Sequence, residues 1–240
     1  MKDIAFISDL HLCEEASDRT TAFLRFLYTE GPFLSALYIL GDLFEAWVGD
    51  DAATAFHHTI YRALSELVAD GVKVFVMPGN RDFLLGPQFA ELSGVTLLPD
   101  PTVIEVGGRR WLLAHGDAYC TEDKAHQRFR RVTQNRLLQH LFLLLPCQWR
   151  QAIGRFLRRQ SEARQGERRI YAGITDSAIE AVVMQTRADV IIHGHIHVPG
   201  MHELPNMAPI KRWVLGEWKN DGGVGLHMTR AGVCQLKKWG

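Results

Sequence analysis

Short apolar runs punctuate the first 120 positions, at residues 4–7, 37–40, 72–77 and 111–114, and residues 190–193 repeat the pattern. Each is bounded by turn residues and reads as a buried strand. Between them, residues 18–28 and 53–69 carry apolar side chains at helical spacing, and Gly71 is a plausible stop for the second helix. Asp50-Asp51 precede the Ala-rich start of that helix and read as its N-cap. Strands alternating with helices predict an α/β layered core, in its simplest form an open sheet. Residues 213–239, interrupted by Gly222-Gly223 and Ala231-Gly232, predict a β-meander or hairpin.

The stretch from 121 to 170 follows a different pattern. LLQHLFLLLP (137–146) is apolar almost all round, and QAIGRFLRRQ (151–160) mixes apolar with basic residues. Pro146 would break one long helix, so several helical pieces are expected. The domain reading is therefore a core built from residues 1–120 and 171–240, with a helical insertion at 121–170.

Composition sharpens that division. The 240-residue chain is 47% hydrophobic and formally neutral, enough for a sizeable core and with no global pull toward nucleic acid. Within 121–170, however, twelve Arg or Lys stand against four Asp or Glu, giving +8 there and −8 elsewhere. Such a block is a solvated helical face or a seat for an anionic partner. Cys13, Cys120, Cys147 and Cys234 form no C-x-x-C pair, which argues against a disulfide framework and for a reducing compartment. The N-terminal MKDIAFISDLHL enters a strand at once and lacks the look of a signal peptide. No run of eighteen apolar residues suggests a membrane span. These features predict a soluble cytoplasmic protein.

Chemistry gathers where the strands end. The runs lead into Ser8-Asp9-Leu10-His11, Gly41-Asp42, Gly79-Asn80-Arg81-Asp82, His115-Gly116-Asp117 and Gly194-His195-Ile196-His197. Any one of these is an ordinary polar turn. Together they place metal-capable groups at five carboxyl ends, where open α/β sheets collect function. In IHGHIHVPG (192–200), His193, His195 and His197 alternate along an extended chain, as a metal cluster, a proton relay or a polar strand end would.

The ordered set D-x-H, G-D, G-N-x-D, H-G-D and G-H-x-H resembles the signature of the calcineurin-like metallophosphoesterases. The resemblance implies a β-sandwich flanked by helices, in place of the open sheet, with a helical cap insertion and a two-metal centre. It implies that Asp9, His11 and His197 hold one metal, that Asn80, His115 and His195 hold the other, and that Asp42 bridges them. Asp42, Asn80, Arg81 and His115 would be the catalytic positions. Oxygen and imidazole donors without thiolate suit Mn²⁺, two ions per chain. Many relatives have His where this chain has Arg81. Arginine cannot serve as a general acid, but its planar fork stabilises developing charge, which favours a leaving group that needs no proton. Pairing of Arg81 with Asp82 is the plainer alternative.

GDLFEAWVGDD (41–51), PGNRDFL (78–84), HGDAYCTEDKAHQRFR (115–130) and VLGEW (214–218) are similar to the UDP-2,3-diacylglucosamine pyrophosphatase family of lipid A biosynthesis. That resemblance implies hydrolysis of UDP-2,3-diacylglucosamine to UMP and lipid X, by metal-activated water attacking the α-phosphate. It implies substrate contacts at Asn80, Arg81, Asp123, Ser161, Gln165, Arg168 and His195. The family typically shows Asn and Lys at the positions of Gln165 and Arg168. The insertion becomes a lipid-binding cap, with Trp47, Phe83 and Phe129 as acyl-pocket candidates, and the protein a monomer held peripherally at the cytoplasmic face of the inner membrane. His193 falls outside the ligand motif and reads as a strand-end residue; Asp117 reads as a residue orienting a ligand. A phosphodiesterase acting on a soluble nucleotide and a non-enzymatic scaffold are the competing readings; the complete ligand set disfavours the second.

Overall fold

The computed structural model describes residues 2–167, 173–204, 206–207 and 209–240, with backbone only for 159–167. Among the described residues, twelve strands form two sheets, accompanied by seven α-helices. In the first sheet β1 (Asp3–Ile7), β2 (Leu34–Leu40), β3 (Lys73–Met77) and β4 (Thr96–Leu97) run parallel. An antiparallel extension of β10 (Trp218–Lys219), β11 (Gly222–Met228) and β12 (Cys234–Trp239) joins it through β11 and β1. The second sheet has the order β5 (Thr102–Val106), β6 (Arg109–Ala114), β7 (Val190–His193), β9 (Lys211–Val214), β8 (Gly200–Glu203), with its three central strands parallel. Helices α1 (Ser17–Thr29), α2 (Ala55–Ala69) and α3 (Pro87–Ser93) cover the first sheet, and α7 (Asp176–Thr186) packs on the second.

Strand alternation builds the layers. Along β1, Ala5 and Ile7 face the helices while Ile4 and Phe6 face the opposite sheet; Leu37 and Ile39 of β2 repeat this against Ala36, Tyr38 and Leu40. Across the seam stand Trp111, Leu113, Val190 and Ile192, and on the far face Leu112 and Ile191 meet Ile179 and Val183 of α7. Fully burying such a side chain contributes about 1.5–3 kcal/mol. Because both faces of these strands are dry, their apolar runs are continuous and do not show which sheet each joins.

Three expectations are revised. The single open sheet gives way to the sandwich. The run 213–239 is split, because Lys211–Val214 pairs parallel with Val190–His193 in the second sheet while β10–β12 complete the first. Asp50-Asp51 do not cap α2. Thr54 does, in a capping box where its backbone N–H donates to His57 Nδ1 at 3.0 Å. Asp50 instead accepts from the backbone N–H groups of Gly86, Gln88 and Phe89 at the start of α3, while Asp51 binds Arg150.

Between β6 and α7 lie α4 (Lys124–Thr133), α5 (Arg136–Leu143) and α6 (Cys147–Glu167), with the break at Pro146. Leu137, Leu141, Leu144, Trp149 and Phe156 leave large apolar surface in water. Arg150, 1% exposed, fastens α6 to the core through Asp51 and the Val48 carbonyl (2.5 Å), and holds the turn before α6 through the Leu145 carbonyl (2.9 Å). Among the described residues, no helix is long and apolar enough to cross a membrane.

Candidate metal centre

Each candidate side chain sits where a parallel strand runs out. Asp9 and His11 follow β1, Asp42 follows β2, and Asn80 and Arg81 follow β3; His115 follows β6 and His195 and His197 follow β7. The first sheet thus supplies one wall and the second the other. To turn inward at once, Asp9, His11, Asp42, His195 and His197 adopt left-handed backbone, with φ between 48° and 69°. Non-glycine residues hold that conformation at roughly 1–2 kcal/mol each. Gly41 (φ 92°) and Gly79 make room: a Cβ on the first would collide with the His115 ring, and on the second with the Asp42 carboxylate.

The donors converge in two overlapping groups, Asp9–His11–His197 and Asp9–Asp42–His115, each with ligand atoms within 4.8 Å of one another. His197 Nε2 lies 3.2 Å from Asp9 Oδ1, and His115 Nε2 lies 2.9 Å from Asn80 Oδ1 and 3.7 Å from Asp42 Oδ2. His11 Nε2 is 3.9 Å from the same Asp42 oxygen. His195 enters through its backbone N–H, which donates to Asp9 Oδ2 at 2.9 Å, and its ring lies 5.1 Å from that of His115. All seven expected ligands are therefore neighbours. Asp9, expected to serve one metal, belongs to both groups.

Electrostatics show what the cluster accommodates. Burial pushes His11 down to about 3, and burial with neighbouring His115 pushes His195 down to about 3, so both present uncharged imidazole nitrogens. Burial, with Asp82 and Asp9 nearby, pushes the Asp42 carboxyl well above its usual range. Burial also opposes the charge on Asp9, but His197, His115 and His11 outweigh it and hold that carboxyl low. Burial opposes charge on His115 and His197 as well, but Asp42 and Asp9 outweigh it at the first and Asp9 and Glu217 at the second, pushing them up to about 9 and about 10. Buried carboxylates with two neutral and two protonated imidazoles, converging from five loops, form a donor set that fits divalent cations, which would take the place of those protons. Cations would supply the positive charge that Asp42 lacks.

Around the donors stand residues that the sequence reading missed. Glu217, from VLGEW, lies 3.2 Å from His197 Nδ1, and Glu45, from GDLFEAW, lies 3.5 Å from His11 Nδ1 and 3.1 Å from Arg81 Nη1. The signal was available, since metal-bound histidines need an acceptor behind the ring. Arg81 does not pair with Asp82. That fully buried carboxylate accepts backbone N–H bonds from Asp42, Phe44 and Gly79 and so ties two strand-end loops together. Asp117 accepts from Arg130 Nε (3.0 Å) and lies 3.3 Å from His126 Nε2, fastening α4 beside His195. His193 is buried, its Nδ1 donating to the Gly194 carbonyl at 2.9 Å. Asp123 caps α4, accepting from His126 N–H. Ser161 and Gln165 lie on the α6 backbone with side chains outside the description, and Arg168 lies outside the described residues. Trp47 is core, stacked on Phe44, while half-buried Phe83 and Phe129 face each other edge to face.

Two parallel-stranded walls with acidic, amide and imidazole donors at their meeting edge define a phosphoesterase centre, and the chain belongs to the calcineurin-like phosphoesterase family, whose model matches residues 2–199. Within that family it is 45% identical, over 91% of its own length and 87% of the relative's, to the UDP-2,3-diacylglucosamine hydrolase of Aeromonas salmonicida (strain A449). It is 44% identical to the Escherichia coli O1:K1 / APEC protein of the same name, covering 91% and 92% of the two chains. For the Sodalis glossinidius (strain morsitans) protein of that name the identity is 43%, over 95% of each chain.

Proposed function

We propose that this chain hydrolyses UDP-2,3-diacylglucosamine to UMP and 2,3-diacylglucosamine 1-phosphate, a step of lipid A biosynthesis. The observation that carries the reading is near full-length similarity to hydrolases of that name in a chain whose metal-capable strand ends converge. Asp9, His11 and His197 would hold one divalent cation, Asn80, His115 and His195 a second, and Asp42 both; Mn²⁺ suits the donors. When bound, such cations polarise phosphoryl oxygen and make water more acidic.

The chain's own groups do the rest. Water adds to the α-phosphorus and gives up a proton to solvent, the bond from that phosphorus to the bridging oxygen breaks, and the bridging oxygen departs with its electron pair on the sugar phosphate. That leaving group is stable as an anion near neutral pH, so no general acid is required. Arg81, with Nη1 on Glu45, turns a permanent charge and further donors toward it. Asn80, Asp123, Ser161, Gln165, Arg168 and His195 are the proposed substrate contacts.

Residues 121–170 are the proposed lipid-binding cap. Exposed Leu141, Leu144 and Phe156 beside the net +8 of this segment suit acyl chains and anionic headgroups. The protein would work as a monomer, peripherally bound at the cytoplasmic face of the inner membrane. The test is UMP release from UDP-2,3-diacylglucosamine with and without Mn²⁺. Asp42→Ala is expected to reduce it more than a thousandfold; retained activity overturns the metal assignment. Equal turnover of an acyl-free UDP-sugar would favour a soluble nucleotide substrate instead.

A further inference from the structure

Glu45 stands outside the expected ligand set, yet it lies among three working parts of the molecule. Its Oε1 accepts from Arg81 Nη1 at 3.1 Å, its Oε2 is 3.5 Å from His11 Nδ1, and Arg158 Nε of α6 comes within 3.8 Å of Oε1. The Glu45 side chain is 15% exposed, between Arg81 at 17% and His11 at 10%, so little water competes for these contacts.

The backbone holds this arrangement in register. His11 N–H donates to the Asp42 carbonyl (2.9 Å), Leu12 N–H to that of Leu43 (2.9 Å), and Glu45 N–H to that of Leu12 (3.1 Å). Arg81 is fastened to the same segment on both sides of its side chain: its N–H donates to Asp42 Oδ1 (2.8 Å), and its carbonyl accepts from Trp47 N–H (3.1 Å). His11 Nδ1 is buried without a well-formed hydrogen bond, and a Glu45 oxygen is the acceptor it faces.

We propose that Glu45 is a positioning residue that sets the spacing between Arg81 and His11 and, through Arg158, makes it depend on the seating of α6. The inference rests on the function proposed above, in which Arg81 meets the departing phosphate and His11 holds a metal. A histidine that presents Nε2 to a cation needs an acceptor at Nδ1–H to fix the ring. A long guanidinium stem needs a fixed counter-charge to keep one rotamer. One carboxylate supplies both, and Arg158 shares the oxygen that Arg81 uses. A seated α6 thereby loosens the grip on Arg81 and leaves its donors freer for phosphate.

The test compares Glu45→Gln, Arg158→Gln and the double variant by calorimetric Mn²⁺ titration of metal-stripped protein and by kcat and KM for UMP release. Glu45→Gln is expected to weaken Mn²⁺ binding about tenfold at one site. Its kcat is expected to fall at least tenfold while KM changes less than threefold. Arg158→Gln is expected mainly to raise KM, and the combined loss to be at least threefold smaller than the product of the single losses, because the two share a contact. Mn²⁺ affinity and kcat of Glu45→Gln within twofold of wild type, or multiplicative losses in the double variant, would overturn the proposal. Should Glu45→Gln not fold, Glu45→Asp, which keeps the charge on a shorter stem, takes its place with the same thresholds. If wild-type protein releases no UMP, the functional reading fails by itself; the Mn²⁺ titration of Glu45→Gln then decides the role of Glu45, weakened binding supporting it and unchanged binding overturning it.

Discussion

The strand-end cluster and the helices of residues 121–170 are built by opposite rules. In the cluster, polar groups are buried and cross-braced: Asp82 joins two loops, Asp9 joins β1 to β7, and glycines clear the space between. In the helical segment, many apolar groups face water, and the attachments to the core combine ion pairs, Arg150 on Asp51 and Arg130 on Asp117, with apolar contacts of Phe142 and of Phe129 with Phe83. A site that must hold charge in fixed geometry is placed where the fold is most rigid. A surface that served a large apolar ligand, as proposed for this segment, would stay incomplete until that ligand arrived. The difference teaches that polar burial and apolar exposure, each unfavourable in isolation, stand side by side in this molecule, with α4 and α6 both reaching the strand-end cluster.

Breaking the braced side is expected to have the largest effect. Asp82→Ala strips three backbone N–H groups of their acceptor and is expected to lower stability by about 3–5 kcal/mol, read in urea or thermal unfolding. Asp82→Asn, which keeps one acceptor oxygen, is expected to lose less. A change under about 1 kcal/mol for the alanine variant would remove Asp82 from the bracing.

On the helical side the key is Arg150. Arg150→Met keeps the volume but orphans the Val48 and Leu145 carbonyls, for an expected loss of about 1–3 kcal/mol. Proteolytic nicking within 121–170 is expected to accelerate and KM to rise more than kcat falls. Unchanged nicking would show that this segment is seated by other contacts.

The smallest effect sharpens the contrast with pH. His57 accepts the Thr54 N–H at Nδ1, and burial pushes its pKa down to about 4, against an ordinary value of 6.5. A histidine depressed in the folded state contributes fully above pH 6.5, and its contribution fades as pH falls toward 4. Glutamine also suits this third helical position, so His57→Gln is expected to keep the cap without the pH dependence. For this partly exposed ring the difference between pH 7 and pH 4.5 is expected to be about 1 kcal/mol, roughly 2–4 °C in Tm. Parallel melting curves for the two proteins would discount it.

Much of the braced side was legible in the sequence, and the reason is physical. Asp9, His11, Asp42, Asn80, His115, His195 and His197 must follow strands directly to reach one point, so the order of the converging donors survives as motif order. The sandwich was not legible from periodicity, because doubly buried strands such as 37–40 and 190–193 look alike whichever sheet they join; only the family resemblance implied it. Short edge elements such as β4, and the marginal β5 and β8, carry too little apolar signal to stand out. Glu45 and Glu217 were visible in quoted motifs, but their roles depend on a neighbour distant in the chain or across a loop. Asp50 shows the limit of local reading: it stands before one helix and caps another, 36 residues further on.

The seam between the sheets gives the ligand cluster a second meaning. Asp9, His11, Asp42 and Asn80 hang from one sheet, and His115, His195 and His197 from the other. Cations held among them would rivet the two sheets at their open edge, in addition to the buried apolar layer of Phe6, Leu40, Leu113 and Ile192 between them, so chelation would remove one of two attachments. Calorimetry is expected to show one sharp transition with Mn²⁺ present and a broadened, lower one in chelator.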